Sequence, residues 1–101
     1  MMAGSTRVCD IGVAGDEAVI AVVGPLDPAE LLTAVDAVLG EAVGAVEIDL
    51  RHCDVVGLTG ARALEAVAAS CAEEGVDCEV VGADPFVRHL VDGVGLDVPL
   101  R

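Results

Sequence analysis

Aromatic residues are nearly absent from this chain: Phe86 is the only one among 101 residues, with no Trp and no Tyr. A core without rings must be filled by Val, Leu, Ala and Ile, which dominate the 54% hydrophobic content. Those side chains suit a buried sheet covered by helices better than a sandwich packed with aromatics. Lysine is missing too; the five basic residues are all arginine, Arg7, Arg51, Arg62, Arg88 and Arg101. That argues against a phosphate-binding loop, which needs a lysine and a longer glycine pattern than Gly57-x-x-Gly60. Positive charge is so scarce that the formal net charge is −13. Such a surface repels phosphate backbones and anionic lipid heads, which disfavours nucleic acid and membrane-surface partners and suits a basic protein face.

Long apolar runs are also lacking. None approaches the ~18 residues of a membrane span, and Met1 to Asp10 contains no apolar signal-peptide core. The four cysteines, Cys9, Cys53, Cys71 and Cys78, include no C-x-x-C pair, so no zinc site is expected. Free thiols in a reducing cytoplasm are the expectation. The length fits one domain over residues 1–101, able to bury roughly 65% of its unfolded surface. Residues 1–6 read as a ragged start.

What is present is a regular alternation of short elements. Arg7 to Ala14 and Glu17 to Val23 read as a hairpin around Gly15-Asp16. Asp27 is placed to cap a helix with Pro28 at its first position; Leu31, Leu32, Val35, Val38 and Leu39 follow at helical spacing, with Gly40 as the C-cap. Ala45 to Leu50 reads as a buried strand. A helix over Thr59 to Glu74 carries Ala63, Leu64, Val67, Ala68 and Cys71 on one face and ends at Gly75. Val76 to Val81 reads as another strand. Asp84 and Pro85 open a short third helix, and Val98 to Leu100 reads as an edge strand. Strands alternating with helices after an opening hairpin predict a mixed sheet.

Catalytic constellations are hard to assemble from these residues. His52 and Cys53 are neighbours at a strand end and point to opposite faces, so they cannot pair as base and nucleophile. His89 lies inside the last helix. Asp49 and Asp54 flank a strand end, but two acids do not specify a cation site. No aromatic lines a ligand pocket. No enzyme, metal or cofactor is expected. The stretch that remains is Gly57-Leu58-Thr59-Gly60, a turn from strand to helix. Thr59 is expected to cap the helix, and Gly57 can supply a positive φ.

With these residues placed, the chain resembles a STAS domain, the fold of anti-sigma factor antagonists. Gly24-Pro25-Leu26-Asp27 is similar to the family's Gly-x-Leu-Asp before its first helix. "VEIDLRHCDVVGLTGARALEAV" resembles the signature strand, turn and helix, and Gly75, Gly82, Pro85, Val87, Leu90, Gly95, Leu96 and Asp97 fall in step with the family's later pattern. The resemblance implies an α/β domain: a mixed β-sheet of about five strands with helices packed mainly on one face. It also implies non-catalytic binding to an anti-sigma factor or kinase-like regulatory protein, through Asp27, Gly57, Leu58, Thr59, Gly60, Ala61 and Arg62. Some STAS proteins instead resemble this one in size and dock as accessory subunits on the ATPase of a lipid ABC transporter.

The departure from the family lies in the turn. Relatives keep Asp-Ser-[Ser/Thr]-Gly there, and the first serine is phosphorylated by the partner kinase. Here Gly57 stands at the aspartate and Leu58 at the acceptor serine. Leu58 has no hydroxyl, so that switch cannot operate at its usual position; Thr59 is the alternative acceptor. Leu58 can either insert into a partner or tuck beneath its own helix. A single leucine makes no patch, so the tuck is the expectation.

Overall fold

The computed structural model describes residues 9–101. The ragged start expected at 1–6 and the first residues of the opening strand lie outside the described residues. Strands β1 (Cys9–Ala14) and β2 (Glu17–Pro25) form the expected antiparallel hairpin, with Ile11 opposite Ile20 and Val13 opposite Ala18. Strand β3 (Ala45–Val55) and strand β4 (Asp77–Val81) extend the sheet in the order β1-β2-β3-β4. β3 runs parallel to both β2 and β4.

Helix α1 (Pro28–Leu39) connects β2 to β3, and helix α2 (Gly57–Glu73) connects β3 to β4. Both crossovers step the same way along the sheet, and right-handed connections then place both helices on one face. Helix α3 (Pro85–Val94) joins them by packing on α2, which also packs on α1 and β4. The strand residues facing the helices alternate as a half-covered sheet requires: Ala18, Ile20 and Val22 on β2, Val46, Ile48 and Leu50 on β3, Val80 on β4. Leu31, Val35, Val38, Leu64, Val67 and Cys71 close the core from the helices.

The opposite face carries charge. Glu47 and Glu79 lie side by side across β3 and β4, a like-charge pair that is unfavourable alone. Arg101 spans them, its Nη2 at 3.4 Å from Glu47 Oε1 and its Nε at 3.2 Å from Glu79 Oε2.

The sheet differs from the expected five strands in one respect. The tail meets β4 in a single bridge, Val80 to Leu100. The Val80 N–H donates to the Pro99 carbonyl at 2.9 Å, and the Arg101 N–H donates to the Val80 carbonyl at 2.8 Å. The next rung would require the residue-99 N–H to donate towards Cys78, and proline has none. The ladder stops, and the described residues hold four strands and a bridge.

One strand boundary also moves. β3 continues to Val55 rather than ending at Leu50, because pairing with β2 resumes after a register shift, with Val23 opposite His52 and Pro25 opposite Val55. The polar run Arg51 to Asp54 concealed this extension. Helix α1 ends at Leu39 with Gly40 as its C-cap, as expected, in a right-handed conformation (φ −72); Ala42, at φ 57, is the left-handed residue of the turn that follows.

Candidate functional site

Because β2, β3 and β4 are parallel, their carboxyl ends lie together, and all three helices start from that end of the sheet. The Leu26 N–H donates to the Val55 carbonyl at 2.8 Å and ties the exit of β2 to the exit of β3. Asp27 caps α1 as expected: its Oδ1 accepts from the N–H groups of Ala29 at 3.0 Å and Glu30 at 3.3 Å. Its carboxylate is therefore engaged within its own helix start. Asp84 does the same for α3, accepting from the Val87 N–H at 2.9 Å.

The turn from β3 into α2 passes through Gly57, whose φ of 67 lies in the left-handed region. This brings the helix start forward to Gly57, with Val56 in the cap position and no side-chain cap. Thr59 therefore does not cap the helix, contrary to expectation; it stands exposed within the first turn.

Gly60 and Ala61 face inward. A Cβ on Gly60 would stand 3.2 Å from Leu26 Cδ2 and 3.2 Å from Val56 Cγ1, so glycine here lets α2 lie against the β2 exit. Ala61 is fully buried. These two residues position the turn and present no side chain outward. Arg62 is exposed one helical turn beyond Leu58. It lies at a groove of about 770 Å³ between α2 and the β4–tail edge, beside Glu65, Ala66, Ala69, Cys78 and Asp97. Glu65 Oε2 accepts from the Asp97 N–H at 2.8 Å, holding the tail to α2.

Leu58 does not tuck beneath its helix as expected. It leaves 44% of its surface exposed, and it is not the only apolar residue at this end: Val55 is 60% exposed and Phe86 71% exposed. Sequence reading missed Val55 and Phe86. Val55 was hidden by the unrecognised strand extension. Phe86 did carry a signal, as the chain's sole aromatic next to Pro85 and off the buried stripe of Val87 and Val91.

Beneath this end lies a polar anchor. Asp49, nearly buried in β3, accepts from Arg51 through its backbone N–H at 2.9 Å, Nε at 3.0 Å and Nη2 at 2.9 Å. The hydrogen bonds from the Arg51 side chain hold the Asp49 carboxyl below the usual carboxylate range. Arg51 in turn lies against Gly82, the left-handed glycine (φ 76) between β4 and α3. The Asp49 carboxylate is thus committed to Arg51 and not paired with Asp54 around a cation.

Chemical groups for catalysis do not converge here. His52 is exposed, and the neighbouring Cys53 thiol donates to the Val55 carbonyl at 3.6 Å. Among the described residues no group of three or more His, Cys, Asp or Glu could hold a metal ion. No described helix is long and apolar enough to cross a membrane.

Comparison with known proteins gives a consistent picture of this fold. A family model described as "Mlab, STAS domain" matches residues 9–101. The structure is similar to an anti-sigma factor antagonist from Mycobacterium paratuberculosis, at 28% identity and a TM-score of 0.75, over 91% of this chain and 82% of that one. It is also similar to the anti-sigma factor antagonist SpoIIAA in its unphosphorylated form, at 13% identity and a TM-score of 0.77, over 92% and 85%. A serine-to-glutamate form of RsbS from Moorella thermoacetica aligns at 20% identity and a TM-score of 0.75, over 94% and 86%. The last two show likeness of fold alone. No curated protein sequence matches the chain.

Proposed function

The chain belongs to the STAS domain family, and from that premise we propose that it is a non-catalytic, cytoplasmic protein-binding regulator of the anti-sigma factor antagonist type. Its partner is an anti-sigma factor or kinase-like regulatory protein. It docks through the carboxyl end of the sheet, and phosphorylation at the family's usual position does not release it. The observation that carries the reading is the exposure of Leu58, Val55 and Phe86 at the end from which all three helices start. An apolar residue stands where relatives keep a phospho-acceptor, and it has two exposed apolar neighbours in the fold. Thr59, exposed in the same turn, is the remaining acceptor there.

The absence of a hydroxyl on Leu58 also supports a second reading. A partner that docks here need not be a kinase, so the ATPase subunit of a lipid transporter fits the same surface. Both readings are tested with purified candidates of each kind, by titration calorimetry against the wild type, Leu58→Asp, Phe86→Asp and the control Ala37→Asp. Ala37 is exposed towards the far end of α1. Burying one large apolar side chain contributes about 1.5–3 kcal/mol, so Leu58→Asp is expected to weaken binding by about 10- to 150-fold. The control is expected to bind as the wild type does. Equal affinity of all four forms refutes docking at this end. Which class of partner binds decides between the two readings.

A further inference from the structure

Two thiols meet where α2 lies on β4. Cys71, in the last turn of α2, is fully buried; Cys78, the second residue of β4, is half-buried. Cys78 stands two residues before the buried Val80, on the strand face that meets the helices, so both side chains enter the α2–β4 contact. The segment between them is a short turn, in which Gly75 is left-handed (φ 72) and the Val76 N–H donates to the Cys71 carbonyl at 2.8 Å. Cys78 also lines the groove of about 770 Å³ beside α2, so one sulfur of the pair has a path to solvent. The other two cysteines differ. Cys9 is buried on β1, and Cys53 directs its thiol to the Val55 carbonyl.

We propose that Cys71 and Cys78 are a modification site, a dithiol that a small hydroperoxide entering the α2–β4 groove converts reversibly into a disulfide. The Cys78 thiolate attacks one peroxide oxygen and the O–O bond breaks. The departing hydroxide takes a proton to become water, and Cys78 is left as a sulfenic acid. Cys71 loses its proton and its sulfur attacks the Cys78 sulfur. The S–O bond breaks, and the second hydroxide leaves as water. In sum, two thiols and one hydrogen peroxide give one disulfide and two waters, the sulfurs losing two electrons to the peroxide.

A neutral oxidant suits the groove, which is lined by Glu65, Asp77 and Asp97 against the single cation Arg62. Burial holds both thiols protonated, Cys78 pushed up to about 12, with Cys71 and Glu79 adding to the effect. The reaction therefore proceeds through a small thiolate fraction and speeds up as the pH rises. The bond ties the last turn of α2 to β4.

The arginine positions make the site easy to read. Trypsin releases residues 63–88 as one peptide that contains Cys71 and Cys78, while Cys9 and Cys53 fall in other peptides. The folded full chain is treated with hydrogen peroxide in mildly alkaline buffer, its free thiols are blocked with iodoacetamide, and the digest is weighed. The expected product is peptide 63–88 lighter by two hydrogens and unalkylated, restored by dithiothreitol and absent from Cys78→Ala. Titration of free thiols before digestion is expected to show two lost per oxidised chain, a readout that does not depend on the variant folding. Cys78 carried to sulfinic acid with Cys71 still alkylated would overturn the proposal. So would peptide 63–88 remaining fully alkylated after treatment, or a disulfide joining Cys9 to Cys53 instead.

Discussion

Replacing Gly82 by alanine tests how the β4–α3 connection is held over the sheet end. Two costs are involved and they can be separated. Gly82 has φ 76, and an L-residue forced into the left-handed region loses about 1–2 kcal/mol. An added Cβ would also stand 2.9 Å from the backbone nitrogen of Arg51 and 3.2 Å from its Cα. Rotating a side chain cannot relieve a contact with backbone. Moving the Arg51 side chain away would disturb its hydrogen bonds to Asp49. Such crowding typically costs about 1–3 kcal/mol, so the total is about 2–5 kcal/mol. Gly57 supplies the control, because its φ is 67 but nothing lies within 4 Å of an added Cβ. Gly57→Ala should therefore lose the conformational part alone, about 1–2 kcal/mol. With a urea m-value of about 1.5 kcal/mol/M, the unfolding midpoint falls by about 1.3–3.3 M for Gly82→Ala and about 0.7–1.3 M for Gly57→Ala. Equal shifts for the two variants would refute the argument that Arg51 supports the loop through direct contact.

Three further outcomes are expected. Asp27→Ala removes the side-chain cap of α1 and should cost about 1 kcal/mol in urea unfolding, whereas Asp27→Asn should retain most of the stability. The Asp49 carboxyl is lowered by its hydrogen bonds from Arg51, so its contribution is present above the unfolded carboxylate pKa and is lost as pH falls through the depressed folded value; NMR titration of Asp49 should show a midpoint below the usual range, returning towards it in Arg51→Ala. Pro99→Ala restores an N–H that can donate towards Cys78 and extend the tail's single bridge into a strand, and the new amide should be protected in hydrogen exchange; free exchange there would contradict proline as the reason the ladder stops.

The hairpin, the parallel crossovers and most of the buried stripes of α1 and α2 were legible in the sequence because their apolar residues repeat at strand or helix spacing; Leu32, counted with the α1 stripe, is exposed. Ile20, Ile48, Leu50 and Val80 are buried in one sheet as that pattern requires. The caps of α1 and α3 were legible because Asp-Pro pairs at Asp27 and Asp84 satisfy two local requirements at once. What escaped depended on contacts distant in sequence. The last five residues of β3 are strand because β2 pairs with them, although their side chains are mostly polar. The start of α2 is set by the left-handed Gly57 and the packing of Gly60 on Leu26, so a local capping rule misplaced Thr59. The exposed apolar residues 55, 58 and 86 share no periodic spacing, and only the parallel topology brings them to one end of the sheet.

The Gly57–Gly60 turn gives the proposed docking surface its chemical character. A serine at position 58 would leave a small polar side chain that a kinase can convert to a dianion. Leucine places an apolar group there permanently and leaves Thr59 as the turn's only hydroxyl. Whether regulation passes through Thr59 can be read by mapping phosphate after incubation with a partner kinase; modification confined to Ser5, Thr6, Thr33 or Ser70 would remove the turn from consideration.

The most direct test of docking through the carboxyl end is amide hydrogen exchange on the complex with the partner that titration identifies. Residues 55–62 and 84–87 are expected to gain protection on binding, while the Gly15-Asp16 turn and the 40–44 loop, which meet at the opposite end, exchange as in the free chain. Protection confined to that turn or that loop, with the Gly57–Arg62 turn unchanged, would contradict the account.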